Sequence, residues 1–175
     1  DTQDIEAIKT VYNGVLRDSG NQFYDSKFDI AKLSNIKNDA IKSILSAKLL
    51  EAQNKGISIS VEIEEPVSNF RIELLDFITI LSVLCDNAIE ATIEAISPRM
   101  TVAFMNNDDS LILIVENSIK SEKVDVNHIF DRGYSSKGEE RGLGLHNVNS
   151  ILEKYPKSTI TTRSANHLFS QTIRF

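Results

Sequence analysis

The stretch "LCDNAIEA", Leu84–Ala91, places polar residues in the middle of an otherwise apolar helical pattern. Asp86 and Asn87 are poor helix formers, so their place inside a helix needs a reason. One alternative is a solvated helix face. The other is that the carboxamide oxygen of Asn87 points into a cleft, where a neutral oxygen suits Mg²⁺ that already carries triphosphate oxygens. Glu90, one turn further on, is either an ordinary exposed glutamate or holds a Mg²⁺-bound water.

A second stretch, "RGLGLHNV" at 141–148, leads from a Gly-rich, polar segment into a helical pattern. Free N–H groups at a helix start attract anions, and glycine lets a ligand approach closely. A plain helix cap with a turn is the competing interpretation. Lys137 and Arg141 lie nearby in the sequence and favour phosphate as the ligand, because phosphate recognition needs local positive charge and the chain as a whole is acidic. The residues expected to contact phosphate are Lys137, Arg141, Gly142, Gly144 and Leu145.

A third candidate lies at the end of a predicted strand, in "IVENS" at 114–118. Glu116 or Asn117 could accept a hydrogen bond from the exocyclic amine of adenine. A turn-forming asparagine is the alternative at this place. The sequence does not choose between the two side chains.

Composition limits the classes of function. The 175 residues are 41% hydrophobic and 25% charged, as in soluble globular proteins, and the net charge of −6 argues against general binding to nucleic acid or anionic membranes. The single cysteine, Cys85, excludes an internal disulfide. The three histidines, His128, His146 and His167, lack metal-site spacing and lie beside no nucleophile, so each is interpreted as structural or exposed.

Periodicity predicts an α+β fold, a two-layer sandwich with helices on one face of a mixed sheet. A long polar loop covers 118–141, and loops of this length in compact domains are more often functional or mobile than inert. The predicted helices cover 5–16, 38–55, 74–96 and 142–155, and the predicted strands cover 57–65, 100–108, 110–118, 158–165 and 168–175.

Taken together, these stretches resemble a known family. "LCDNAIEA" resembles the N box of the GHKL ATPase superfamily, "IFDRGYSSKG" at 129–138 the F-box region of a histidine-kinase ATP lid, and "RGLGLHNV" its G2 box. Taken as a set, these motif sequences are most similar to those of the AgrC/ComD-type peptide-pheromone sensor kinases of Gram-positive bacteria.

The resemblance implies a Bergerat-type ATP-binding fold over 37–175, with the ATP lid at about 118–141. It implies that Asn87 ligates Mg²⁺, that Gly142 and Gly144 bind phosphates through their amides, that Lys137 approaches the phosphates, and that Phe130 anchors the lid. Residues 1–36 would be the second helix of a dimerisation domain plus a linker.

The implied function is transfer of the γ-phosphoryl of Mg·ATP to a histidine on an upstream helix, and then to a response regulator, in quorum-sensing signalling. The whole protein would be a membrane receptor that dimerises through its helices, with this part in the cytoplasm. No histidine here is followed by an acidic residue. The chain is therefore expected to be a fragment that binds ATP without phosphorylating itself.

Two departures from the family pattern matter. Val83 stands where many histidine kinases have Asn and hydrolytic members have Glu, so the chain lacks a base there to activate water. "ENSIK" at 116–120 replaces the Asp-x-Gly-x-Gly adenine box. Val83 favours phosphoryl transfer to histidine over hydrolysis. The competing functions are an anti-sigma-type serine kinase of the same fold and an interaction module without nucleotide.

Overall fold

The computed structural model describes residues 31–106, 109–131 and 143–175. The predicted helix at 5–16 and the candidates Lys137, Arg141 and Gly142 lie outside these residues. The described helices are α1 (Asp39–Asn54), α2 (Leu74–Thr92) and α3 (Gly144–Leu152), and the strands are β1 (Ser58–Ile63), β2 (Arg99–Asn106), β3 (Leu111–Ser118), β4 (Thr159–Ala165) and β5 (Leu168–Arg174).

The five strands form one mixed sheet in the order β1-β2-β3-β5-β4. β1 runs parallel to β2, and the other neighbours are antiparallel. Along β3, Leu111, Leu113 and Val115 are buried, whereas Ile112 and Ile114 between them are partly exposed. Since successive side chains point to opposite faces, the helices cover one face only. The predicted two-layer α+β architecture is confirmed.

Helix α1 is flanked by residue types that commonly stand at helix ends. The side chain of Asn38 accepts a hydrogen bond from the Ile41 amide at 3.1 Å. Gly56 follows the helix with φ 77°, the left-handed conformation that glycine adopts without steric cost. The buried face of α1 packs on β1 and on α2.

Helix α2 occupies the centre of the helical layer and packs on β3 and β2. Its buried face is the one that the sequence predicts, namely Phe77, Leu81, Leu84, Ala88 and Thr92. The Phe77 ring lies against Phe70, Phe104 and Phe175, with centroids 4.8, 6.3 and 5.2 Å apart. Because this face of α2 is buried in the core, the opposite face is the one that can contribute side chains to a site.

Two helices are shorter than their patterns predict. α2 ends at Thr92 rather than Ile96, since the chain turns ahead of Pro98 and leaves Ile96 exposed. α3 covers Gly144–Leu152 rather than 142–155. Its last turn is tightened by short-range bonds, including that from the Tyr155 amide to the Leu152 carbonyl.

The chain ahead of α1 already belongs to the packed unit. Leu33 and Ile36 are buried, and Ile36 pairs with Val67 in an isolated β-bridge. The described part of the predicted linker therefore packs against the domain that follows it. Among the described helices, none combines the length and the apolar character that crossing a bilayer requires.

Candidate nucleotide-binding site

The residues that carry the sequence motifs meet where α2 passes the start of α3. A Cβ atom built on Gly144 would lie 3.1 Å from Cγ1 of Val83 and 4.0 Å from Oδ1 of Asn87. Both α2 residues are half-buried. The glycine therefore lets α3 begin directly against the polar side of α2, and it brings the carboxamide oxygen of Asn87 beside the first helical amide.

The start of α3 presents backbone donors that have no partner among the described residues. Leu143 occupies the N-cap position, and no side-chain hydrogen bond caps the helix. The first intrahelical amide bond is that of Asn147 to Leu143, so the amides of Gly144, Leu145 and His146 have no partner within the helix. A helix start with free amides carries partial positive charge and favours phosphate oxygens.

A polar contact fixes the other end of α3 to α2. The Tyr155 hydroxyl donates to Oδ2 of Asp76 at 2.6 Å, and it accepts from the Glu73 amide at 3.2 Å. Lys154 lies 3.2 Å from the same carboxylate. The Tyr155 hydrogen bond holds the pKa of Asp76 below its usual value, and the Asp76 carboxylate raises the pKa of Tyr155. α3 is thus held at both ends.

Replacing Tyr155 with Phe removes the hydroxyl and keeps the ring. We expect Tm at pH 7 to fall by on the order of 2 °C. Because the folded-state pKa of Asp76 is lowered, its stabilising contribution is present above the ordinary carboxyl pKa and is lost as pH falls through the folded value. The gap in Tm between parent and variant should therefore be constant from pH 5 to 8 and should narrow as the pH falls below about 4, while the bond from the Glu73 amide keeps a part that does not depend on pH. Calorimetric scans across pH measure it, and a gap independent of pH down to 3 would contradict the assigned hydrogen bond.

The end of β3 places one of the two candidate adenine residues on the helical side of the sheet. Asn117 is 3% exposed and shares a face with the buried Val115, whereas Glu116 points to the opposite face. The side-chain nitrogen of Asn117, Nδ2, donates to the Ser118 carbonyl at 2.9 Å. That bond leaves the carboxamide oxygen as the acceptor, which is what an exocyclic amine needs.

Other sequence candidates contribute less to the geometry. Glu90 is exposed, one turn beyond Asn87. Burial raises the pKa of the Cys85 thiol to about 12, so it stays neutral in the core. Asp86 points away from the site and lies 2.5 Å from Lys48 of α1, which ties the two helices together. This pair was not predicted, because only the fold brings residues 38 positions apart into contact.

The loop after β3 is attached to the turn between β4 and β5. Asn166 and His167 have φ of 53° and 61°, so two side-chain-bearing residues adopt the left-handed conformation of a tight hairpin turn. The Ile119 amide donates to the His167 carbonyl at 2.9 Å, and the His167 amide donates to the Glu122 carbonyl at 2.8 Å. Nδ1 of His167 lies 3.1 Å from the Lys120 carbonyl. The first part of the predicted lid is therefore fastened to this turn.

Further along, the half-buried Phe130 returns the loop to the site. Its carbonyl oxygen lies 3.4 Å from Nδ1 of His146 in the first turn of α3. Ile129 beside it is buried. The loop therefore meets α3 at Phe130, next to the helix start.

Comparison with known proteins identifies the class. Residues 72–175 match the family described as the GHKL domain. The sensor protein CitS of Bacillus subtilis (strain 168) is 30% identical over 125 residues, 69% of this chain and 23% of CitS. The sensor histidine kinase DcuS of Escherichia coli (strain K12) is 31% identical over 144 residues, 79% of this chain and 26% of DcuS. The chain thus spans about a quarter of the length of these curated relatives.

Solved structures agree with this fold. The catalytic domain of histidine kinase ThkA superposes with a TM-score of 0.66 at 19% identity, over 79% of this chain and 92% of that one. Full-length ShkA in complex with AMPPNP gives a TM-score of 0.63 at 16% identity, over 77% of this chain and 28% of ShkA. The chain belongs to the GHKL-domain family, and its fold is that of histidine-kinase catalytic domains.

Proposed function

We propose that this domain binds Mg·ATP between α2, the end of β3 and the start of α3, and donates the γ-phosphoryl group to a histidine outside the domain. The observation that carries the proposal is the meeting of Gly144, Asn87 and Val83 at one point. It combines free helix amides, a neutral oxygen for a metal and an apolar side chain where a hydrolase needs a base.

In this proposal, different site residues contact different parts of the nucleotide. The amides of Gly144 and Leu145 suit the phosphates, and the Asn87 oxygen suits Mg²⁺, with Glu90 near enough along the helix to hold a metal-bound water. Asn117 suits the adenine amine. Lys137, Arg141 and Gly142 keep their predicted phosphate contacts in the proposal, although they lie outside the described residues.

The chemistry needs little from the domain beyond placement and charge. The acceptor imidazole nitrogen forms a bond to the γ-phosphorus while the bond from that phosphorus to its bridging oxygen breaks, and ADP leaves with the electron pair. Mg²⁺, when bound, offsets phosphate charge. Val83 cannot take a proton from water, so hydrolysis lacks its base and the histidine is the competent nucleophile.

The wider setting is also a proposal. The wording of the motifs is most similar to peptide-pheromone receptors of the AgrC/ComD type, which supports a role in quorum sensing. Such a receptor would dimerise through helices that include residues 1–36, sit in a membrane through other segments, place this domain in the cytoplasm and pass phosphate to a response regulator.

Isothermal titration with AMPPNP, with Mg²⁺ and then with EDTA, tests nucleotide binding, and phosphate release from ATP tests the reaction class. We expect Mg²⁺-dependent binding together with ATP hydrolysis near the buffer rate. Failure to bind would exclude an ATP site. Steady hydrolysis at enzymatic rates would instead contradict the kinase assignment, because it requires a base that Val83 does not supply.

A further inference from the structure

The helical side of the sheet changes character along β3, β5 and β4. At one level Leu113, Ile173 and Ile160 are paired neighbours and wholly apolar. Two residues further along each strand lies a second level, formed by Val115, Gln171 and Thr162. The core therefore gives way at this second level to polar side chains on two neighbouring strands.

A third level, two residues beyond, consists of Asn117, Phe169 and Ser164. This level carries the asparagine proposed for adenine. Diagonal neighbours on one sheet face lie about 7–8 Å apart, so the Gln171 side chain starts within reach of a base held by Asn117. In the proposed nucleotide site, the second level would form the inner wall of the pocket that holds the base.

The hydrogen bonds of these levels leave two groups without partners. The Ser164 hydroxyl accepts from the Val124 amide at 2.8 Å, and the Asn117 amide donates to Ser118. In contrast, Nε2 of Gln171 and Oγ1 of Thr162 are buried and have no hydrogen-bond partner among the described residues. Gln171 as a whole is only 2% exposed.

An unpaired buried amide and hydroxyl destabilise a fold, so their presence side by side needs a compensating function. Gln171 and Thr162 are direct cross-strand partners, and their unpaired atoms can both donate. The ring nitrogens N1, N3 and N7 of adenine are acceptors, whereas N1 of guanine carries a hydrogen. Guanine also carries acceptors, O6 and N7, so the discrimination comes from a donor used together with the acceptor oxygen of Asn117. Adenine presents a donating N6 amine beside an accepting N1, whereas guanine presents an accepting O6 beside a donating N1.

We propose that Gln171 and Thr162 recognise the base edge of the bound nucleotide and set the preference for adenine, a role that rests on the nucleotide site proposed above. They complete their hydrogen bonds on the purine ring, while Asn117 accepts from the exocyclic amine. The pair thus takes over base recognition in a chain where "ENSIK" stands in place of the usual adenine box.

The test uses Gln171→Met and Thr162→Val, which remove the polar atoms and keep the approximate volume. Without nucleotide, each should raise Tm by about 2–4 °C, because a buried unsatisfied group disappears. Each should also weaken binding of Mg·AMPPNP by about tenfold and reduce the preference over Mg·GMPPNP. Thr172→Val, on the same strand but on the opposite face, is the matched control and should change neither quantity.

The outcomes separate the base role from the alternatives. A higher Tm with unchanged nucleotide affinity would show an unused polar defect in the core and overturn the proposal. A lower Tm with unchanged affinity would show a structural pair bridged by water and overturn it equally. Parent protein that binds no Mg·AMPPNP would contradict the nucleotide site itself. If the parent binds Mg·AMPPNP and the base preference changes only in the two variants, the result supports both the nucleotide site and the role of the pair in base recognition.

Discussion

Replacing Asn87 with Ala is expected to weaken Mg²⁺-dependent binding of AMPPNP by about 10- to 100-fold, the range for losing a hydrogen bond or ligand at a charged group. The side chain is half-buried on the polar side of α2, next to Gly144. It is not a member of the hydrophobic core cluster, so the fold should persist with Tm within about 2 °C of the parent. Isothermal titration at several Mg²⁺ concentrations measures the loss.

Thr79→Ala is the matched control, because Thr79 is an exposed polar residue on the same helix, two turns before Asn87. It should bind AMPPNP as the parent does. The Asn87 variant should respond little to added Mg²⁺, whereas parent and control should respond strongly. Equal, Mg²⁺-dependent binding by all three proteins would remove Asn87 from the metal site.

Gly144→Val is expected to damage the site through packing. The added Cβ would lie 3.1 Å from Cγ1 of Val83, and the two further methyl groups would press α3 away from α2. Overpacking of this kind lowers the free energy of unfolding by about 1–3 kcal/mol. It should also weaken AMPPNP binding at least about tenfold, because the helix amides move away from Asn87. Thermal unfolding and titration report the two effects separately.

A second change in the same chain tests the cause. Val83→Ala removes the methyl groups that the new side chain meets, so the double variant should regain most of the stability and part of the affinity. Asn147→Val places the same residue on an exposed position of α3 and controls for the low helix propensity of valine. If Val83→Ala restores nothing, contact with α2 is not the reason for glycine at position 144.

Local patterns sufficed for most of the architecture. Alternation along "ISISVEIEE" predicts β1, and the helical spacing of Phe77, Leu84 and Ala88 predicts the buried face of α2. Helix ends were less predictable, since α3 stops at Leu152 through turn bonds that no periodicity encodes. The strand order and the parallel pairing of β1 with β2 depend on long-range packing, which spacing along the chain does not contain.

The site residues, like the elements of the fold, could be predicted only in part from local sequence patterns. Asn87 and Gly144 could be found because each stands out from its surroundings, one as a polar residue in an apolar helix and the other as a glycine opening a helix. The choice of Asn117 over Glu116 for the helical side needed the pleat of β3. The contact of Tyr155 with Asp76 joins residues 79 apart, and no local pattern announces it.

Gln171 is the clearest case of a residue that sequence reasoning passed over. In "LFSQTIRF" it reads as an ordinary member of a closing hairpin strand. Only the pairing with Val115 and Thr162, together with 2% exposure, reveals a buried amide without a partner.

The turn at Asn166 and His167 has a consequence for anyone who modifies this protein. Exposed hairpin tips are usually the safest places for an inserted tag, a fluorophore or a circular permutation. Here the tip holds the backbone of residues 119–122, directly after the strand that carries Asn117. A label placed at this turn would release that segment beside the proposed base pocket, so the outer edge of α1, around the exposed Ala47, is the better attachment point.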